Sequence, residues 1–206
     1  MEKKPQNKFT RAFLSGFTLA LIGTLCIIAV LGAQLKTQDR IKKIQADKMM
    51  AKFSLLVPPE AQSDKTVFKC HVLNDKLVGK NMHLYTASID NEIKGYIMTY
   101  STSRGYSNPL ILIGGFDKDK NVYRTDIHFS METPGLGDKV DRKHGNFMDM
   151  LSGKNAENAK WDVKKFNGDF DYITGSTVTS RAVVLATKDA LDVLNKTDIS
   201  KLKECE

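Results

Sequence analysis

Residues 171–195, which read DYITGSTVTSRAVVLATKDALDVLN, decide the fold. From Val178 onward, apolar residues recur at helical spacing, and Lys188, Asp189 and Asp192 lie on the opposite side. The stretch therefore predicts a long helix with one buried face near the end of the chain. The residues assigned to that face are Val178, Ala182, Val183, Leu185, Ala186, Ala190, Leu191, Val193 and Leu194.

Five segments rich in β-branched and aromatic residues precede this helix, and turn-forming residues separate them. Strands followed by one closing helix predict an α+β domain with an antiparallel sheet. An alternating pattern at Trp161–Phe166 suggests a further strand, and the apolar run Phe147–Leu151 suggests one or two helical turns. The five predicted strands are Val67–Leu73, His83–Ser88, Ile93–Tyr100, Leu110–Phe116 and Val122–Phe129.

The N-terminal part of the chain contains 24 consecutive residues without a charge, from Ala12 to Leu35. A helix needs roughly 20 apolar residues to cross a bilayer, so this segment predicts one transmembrane helix. Apolar residues continue to recur at helical spacing after this segment, and Pro58-Pro59 ends the pattern. The expected organisation is a tail over 1–11, a transmembrane helix over 12–35, a juxtamembrane helix or stalk over 36–65 and one domain over 66–206.

The orientation of this segment does not follow from charge, because four basic residues precede it and four follow it closely. A short tail commonly stays in the cytoplasm, so we expect the domain on the extracytoplasmic side. A cleaved signal peptide would have an apolar run of about 7–15 residues that ends in a small-x-small site. Here the run is longer, and Leu31-Gly32-Ala33 has leucine where a small residue belongs. We therefore expect an uncleaved anchor.

The formal charge of the chain is +7, from 31 Lys and Arg against 24 Asp and Glu. Eight basic residues flank the apolar segment, where the lipid bilayer with its anionic head groups is the natural partner. No long basic stripe with interleaved aromatic residues occurs in the domain. The sequence thus predicts no nucleic-acid binding.

The three cysteines leave one question open. Cys26 lies in the apolar segment and is expected to be a small filler. Cys70 and Cys205 would both face an oxidising compartment if the domain is exported, so either a disulfide or two free thiols is compatible with the sequence. The chain has no Cys-x-x-Cys motif, and its four histidines are scattered, so no metal site is predicted.

The segment that follows the fifth predicted strand reads Glu-Thr-Pro-Gly-Leu-Gly-Asp-Lys, from Glu132 to Lys139. Pro134 fixes one φ angle, and Gly135 and Gly137 permit a positive φ or a close approach of a flat ligand. The alternative is an ordinary connecting loop.

Hydroxyl residues are concentrated at the start of the closing helix, where five of the seven residues from Thr174 to Ser180 are Ser or Thr. One hydroxyl is enough to cap a helix. A helix N-terminus also binds phosphate, because its free N–H groups and its dipole favour an anion. The cluster is therefore either a cap or a phosphate site with a hydroxyl that could be esterified.

Three segments together resemble the FMN-binding domain family. Residues 171–177, Asp-x-x-Thr-Gly-Ser-Thr, resemble its flavinylation motif, which usually has alanine at the position of Ser176. Residues 132–137 match its Glu-Thr-Pro-Gly-Leu-Gly loop, and Gly105-Tyr106-Ser107 is similar to its Gly-Tyr-Ser turn. The order of the segments is similar to that in G subunits of Rnf electron transport complexes. C subunits of sodium-pumping NADH:quinone oxidoreductases share the motif and are the second choice.

The resemblance implies a covalent cofactor. A flavin transferase would transfer FMN from FAD to the side-chain oxygen of Thr177, with the oxygens of Ser176 and Thr179 as further candidates. The turn that holds the phosphate would consist of Asp171, Thr174, Gly175 and Ser176. The loop against the isoalloxazine ring would consist of Glu132, Thr133, Pro134, Gly135, Leu136 and Gly137.

The implied function is that of an electron carrier in the inner membrane, a subunit of an ion-translocating ferredoxin:NAD oxidoreductase. Its partners would be the other subunits of the complex and, during maturation, the flavin transferase. No turnover by this chain alone is expected. Two alternatives are a membrane-anchored binding module without a cofactor, in which the hydroxyls only cap the helix, and a flavin-dependent reductase that acts by itself.

Overall fold

The computed structural model describes residues 8–205, so the first seven residues of the predicted tail and the last residue of the chain lie outside it. Two α-helices and six strands form the fold, with short 3-10 helices between them. The α-helices are α1 (Lys8–Leu56) and α2 (Thr177–Lys196), and the strands are β1 (Val67–Asp75), β2 (Gly79–Ile89), β3 (Glu92–Thr102), β4 (Leu110–Asp117), β5 (Val122–Ser130) and β6 (Lys203–Glu204).

Helix α1 contains the predicted apolar segment. Its stretch Phe13–Gln38 has a mean hydropathy of 2.4 and is long and apolar enough to cross a membrane. The periodic residues that follow belong to the same helix, which continues without interruption to Leu56. The helix ends there because Pro58 disfavours the helical conformation of the residue before it. A compact unit begins at Lys52 and includes the last turn of α1.

The sheet is antiparallel throughout, as the sequence predicted. Its strand order is β5-β4-β3-β2-β1-β6. The turn-forming residues Asp90 and Asn91 join β2 and β3, and both have a positive φ, as a type I′ hairpin turn requires. All five predicted strands are present. Strand β6 was not predicted, because two residues carry no readable alternation.

The two faces of the sheet bury two separate cores, which explains why the central strands are apolar on both sides. In β3, Met98 and Tyr100 point to the face that α2 covers, whereas Ile97 points to the opposite face. The second face is covered by Phe53 and Leu56 from the end of α1. The packing of α2 on the sheet fixes the positions of the loops that join these elements at one end of the domain.

Helix α2 has the predicted buried face, with two exceptions. Val178 is 52% exposed, and Leu185 is only partly buried, while Val184 is buried instead. Thr179 and Ser180 in the same first turn are buried, so the exposure of Val178 does not come from its place at the end of the helix. At helical spacing, Val178 and Leu185 lie on the same side of α2 as Asp189 and Asp192, which is the side away from the core.

The strand suggested at Trp161–Phe166 is wrong. Residues 164–166 form a 3-10 turn, and Val163 makes one isolated bridge with Phe170. The chain reverses at Asn167, so the rings of Trp161 and Phe170 pack with their centroids 4.9 Å apart. The alternation reflects two side chains that enter the core from a loop. The predicted helical turn at Phe147–Leu151 is present as a 3-10 helix.

A disulfide joins Cys70 in β1 to Cys205, directly after β6. The same two residues share a backbone hydrogen bond of 3.1 Å from the Cys205 N–H to the Cys70 carbonyl. The disulfide therefore attaches the end of the chain to the edge of the sheet. Of the two possibilities that the sequence left open, the structure has the bonded one.

Candidate functional site

The hydroxyl-rich segment begins with a tight turn. The Ser176 N–H donates to the Ile173 carbonyl at 2.9 Å, and Gly175, in the third position of this turn, has a φ of +85°. A type II turn requires a positive φ at that position, which glycine adopts without strain. The turn leads directly into α2, whose first residue is Thr177.

Most hydroxyls of this segment already have partners. Ser176 donates to the Leu136 carbonyl, and Thr179 donates to Glu132 Oε2 at 3.0 Å. Ser180 accepts from the Ile173 N–H at 3.1 Å. Thr174 and Thr177 differ, because no described residue forms a hydrogen bond with either side-chain oxygen. Thr174 is exposed, whereas Thr177 is partly buried. Ser176 occupies the N-cap position without making a side-chain cap. This geometry disfavours the interpretation that the hydroxyls only cap the helix.

The loop after β5 forms a second tight turn. The Leu136 N–H donates to the Thr133 carbonyl at 3.1 Å, with Pro134 and Gly135 in the middle. Gly135 has a φ of +78°, so this turn also needs glycine in its third position. The result is a rigid corner that presents Leu136, 50% exposed, to the surface.

Glu132 connects this loop to its neighbours and is almost fully buried, with 7% of its surface exposed. Its Oε1 accepts from the Ser107 N–H at 3.1 Å, and its Oε2 accepts from Thr179. The Gly-Tyr-Ser turn, the loop after β5 and the first turn of α2 are thereby joined through one carboxylate.

These three segments surround a single cleft of about 410 Å³. The three motifs are far apart in the sequence, and the cleft is the place where the fold brings them together. Its lining consists of Tyr106, Glu132, Thr133, Leu136, Gly137, Gly175, Ser176, Thr177, Val178 and Thr179.

Four of the residues expected at the site do not line this cleft. Pro134 and Gly135 shape the loop behind it, and Thr174 is exposed in the turn. Asp171 forms an ion pair with Lys164, with 2.6 Å between Oδ1 and Nζ, and lines a different cavity of about 680 Å³. Lys139 also lines that second cavity.

Two lining residues were not among the expected site residues. Tyr106 is 78% exposed and Val178 is 52% exposed, and with Leu136 they give the cleft an apolar rim. Tyr106 belongs to the Gly-Tyr-Ser turn, so that motif already contained the signal. Val178 was assigned to the buried face, although its helical spacing from Asp189 and Asp192 places it on the polar side of α2.

The charges around the cleft indicate which groups could bind an anion there. Glu132 is the one acidic residue in the lining, which contains no Lys, Arg or His. The first hydrogen bond within α2 runs from the Ser180 N–H to the Ser176 carbonyl at 2.9 Å, so the N–H groups of residues 177–179 have no partner in the helix. An anion in this cleft would therefore be held by backbone N–H groups and the helix dipole.

Comparisons with known proteins agree with this geometry. The FMN-binding domain family matches residues 105–192, which include all three motifs. The chain is 35% identical over 184 residues to the G subunit of the ion-translocating oxidoreductase complex of Aliivibrio fischeri, covering 86% of this chain and 87% of that protein. The Shewanella baltica protein of that name is 33% identical over 187 residues, 88% of each chain. The Escherichia coli protein is 33% identical over 181 residues, 85% of this chain and 87% of that protein.

Each of these similarities covers at least 85% of the chain and so extends well beyond the three motifs. The protein belongs to the family of G subunits of ion-translocating oxidoreductase complexes, and its residues 105–192 match the FMN-binding domain family.

Proposed function

We propose that this chain is an electron-carrier subunit of a membrane-bound ion-translocating ferredoxin:NAD oxidoreductase complex, with FMN joined through its phosphate to Thr177 Oγ1. One observation carries the choice of residue. Ser176 and Thr179 both donate hydrogen bonds to neighbouring segments, whereas the Thr177 hydroxyl has no such partner within the described part of the chain. Thr177 lies in the cleft and in the first turn of α2, where a phosphate is favoured.

The attachment is a transfer of an FMN group. The Thr177 oxygen forms a bond to the FMN phosphorus of FAD, the bond between the two phosphates breaks, and AMP leaves while the hydroxyl proton is released. A flavin transferase would carry out this step. The product is a phosphodiester with one negative charge, which suits a cleft without a cationic side chain in its lining.

The residues of the cleft fit such a group. FMN supplies one- and two-electron transfer, and the protein orients it and adjusts its potential. The apolar rim of Tyr106, Leu136 and Val178 would cover part of the ring and exclude water. The unpartnered N–H groups at the start of α2 would donate to the phosphate oxygens. Covalent attachment keeps the carrier from losing its cofactor.

Two features support the proposed position at the membrane. Helix α1 has a span that would anchor the chain in the inner membrane by a single crossing. The Cys70–Cys205 disulfide is typical of an oxidising compartment, which supports a domain on the extracytoplasmic side and a cytoplasmic tail. The partners would be the other subunits of the complex, as the names of the relatives suggest.

The test is the intact mass of the full chain after co-expression with a flavin transferase. We expect an added mass of one FMN minus one water, absent in Thr177→Val. The matched control is Thr133→Val, which removes another hydroxyl from the same cleft and should leave the added mass unchanged. An unmodified wild-type chain beside a working transferase would contradict the function. Added mass in Thr177→Val would contradict the choice of oxygen.

A further inference from the structure

Glu132 is the buried charge of the cleft. Its two carboxylate oxygens accept hydrogen bonds from different segments, Oε1 from the Ser107 N–H at 3.1 Å and Oε2 from the Thr179 hydroxyl at 3.0 Å. Both oxygens are thus used as acceptors, and the carboxylate joins two segments that are far apart in the sequence. The Glu132 N–H donates to Ser130 Oγ at 3.1 Å, which fixes the backbone beneath the side chain.

The surroundings leave space for this carboxylate and for little else. A Cβ on Gly105 would lie 2.6 Å from Glu132 Oε1, and a Cβ on Gly137 would lie 2.8 Å from Glu132 Cβ. Both distances are shorter than any ordinary contact, so glycine on each side makes room for the glutamate. Two motif glycines thus have a packing function that their sequence does not reveal.

We propose that Glu132 is a positioning residue that fixes the three walls of the cleft, and that its negative charge lowers the redox potential of the FMN held there. This inference rests on the proposed function. Reduction adds electrons to the ring, so a fixed carboxylate in the same cleft makes reduction less favourable. The lining contains no Lys, Arg or His that would offset it. Arg104, the nearest basic residue in sequence to the Gly-Tyr-Ser turn, forms an ion pair with Asp189 of α2.

Two substitutions separate the effect of the Glu132 hydrogen bonds from the effect of its charge. In Glu132→Gln, the amide oxygen can still accept from Ser107 and the amide NH₂ can donate to Thr179, because a hydroxyl also accepts. This variant keeps both contacts and removes the charge. Glu132→Ala removes the contacts as well.

The positioning part is tested without flavin, on the full chain in detergent produced without a transferase. We expect a large loss of thermal stability in Glu132→Ala and a small one in Glu132→Gln. Thr179→Val should destabilise the wild type but add little to Glu132→Ala, because the two residues share one contact. Fully additive losses would contradict the positioning function, whether or not FMN is ever attached.

The charge part is tested on the flavin-loaded chain by an equilibrium redox titration, with attachment checked by intact mass. At a fixed potential, we expect the ratio of reduced to oxidised FMN to rise at least tenfold in Glu132→Gln, which corresponds to ~30 mV for two electrons. The control Glu157→Gln removes an exposed carboxylate outside the cleft and should leave the ratio unchanged. An unchanged ratio in a loaded Glu132→Gln chain would overturn the charge effect.

Thr179→Val gives an independent readout of opposite sign. Loss of the hydroxyl donor leaves the carboxylate charge less compensated, so the ratio of reduced to oxidised FMN should fall. A Glu132→Gln chain that does not fold would contradict the claim that the amide keeps both contacts, and Thr179→Val would then decide the charge part. Absence of FMN from the wild type would contradict the proposed function instead, so the two failures are distinguishable.

Discussion

The Ser176 hydroxyl donates a hydrogen bond to the backbone carbonyl of Leu136, 40 residues earlier in the chain. Ser176 is 4% exposed, so this bond lies inside the domain and ties the start of α2 to the loop after β5. The FMN-binding family usually has alanine at this position. The additional hydroxyl of this chain therefore serves the fold, and it is not available as an ester oxygen without breaking that contact.

Ser176→Ala should keep covalent FMN on Thr177 and lose about 1 kcal/mol of unfolding free energy, the net contribution of one such hydrogen bond. Intact mass and urea unfolding would measure the two effects. The matched control is Ser152→Ala, which removes an exposed hydroxyl bond to the Tyr123 carbonyl at 3.1 Å and should cost less. Loss of the flavin from Ser176→Ala would show that its oxygen, rather than that of Thr177, carries the ester.

Thr177→Ser should retain partial attachment. The hydroxyl remains at the start of α2, but serine lacks the methyl group that restricts the rotamers of threonine, so the oxygen spends less time in the reactive position. The fraction of modified chain, measured by intact mass at equal transferase levels, should lie between that of the wild type and that of Thr177→Val. A value equal to that of Thr177→Val would mean that the threonine methyl is required for recognition.

The sequence predicted the sheet, its turns and α2 because each depends on local patterns of period two or 3.6. Its motifs also identified the three segments that the fold brings together around one cleft. It could not predict the contacts of Glu132, since they join Ser107 and Thr179 across 25 and 47 residues. Such partners are set by the packing of α2 on the sheet. The loop around Trp161 was misread for the same reason, because its alternation arises from tertiary packing.

Gly137→Ala should destabilise the domain by about 1–3 kcal/mol, the usual cost of overpacking, because the new methyl group overlaps the Glu132 side chain. The expected displacement of Glu132 should also reduce the yield of flavinylated chain. Gly145→Ala is the matched control, since no atom lies within 4 Å of its added Cβ and its φ is not positive. Chemical unfolding of both variants measures the difference. Equal stabilities would mean that Glu132 can move without cost.

Cys205→Ser should destabilise the domain by about 2–5 kcal/mol, as the disulfide closes a long loop with a sequence separation of 135. FMN attachment should persist, because neither cysteine lines the cleft. Thermal unfolding with and without a dithiol measures the loss, which the dithiol should reproduce in the wild type. Cys26→Ser, in the exposed apolar part of α1, is the control and should change nothing. A wild-type chain isolated fully reduced from cells would contradict the extracytoplasmic position.

We expect the domain to lose stability between about pH 10 and pH 12, because the buried hydroxyl of Tyr100 must then ionise. Burial raises the pKa of Tyr100 from 10.0 to about 12, although its hydroxyl shares a hydrogen bond of 3.1 Å with Thr187. The folded state therefore holds this proton more tightly than the unfolded state, so the stabilisation is complete below pH 10 and is lost as the pH rises to 12. A pKa difference of this size corresponds to about 3 kcal/mol.

Tyr100→Phe should lose about 1 kcal/mol of unfolding free energy at neutral pH, because the hydrogen bond is missing, and its stability should decline less steeply above pH 10. Urea unfolding at each pH measures both effects, with Tyr106→Phe, an exposed tyrosine, as the control. Parallel curves for the wild type and Tyr100→Phe would show that another group causes the alkaline loss.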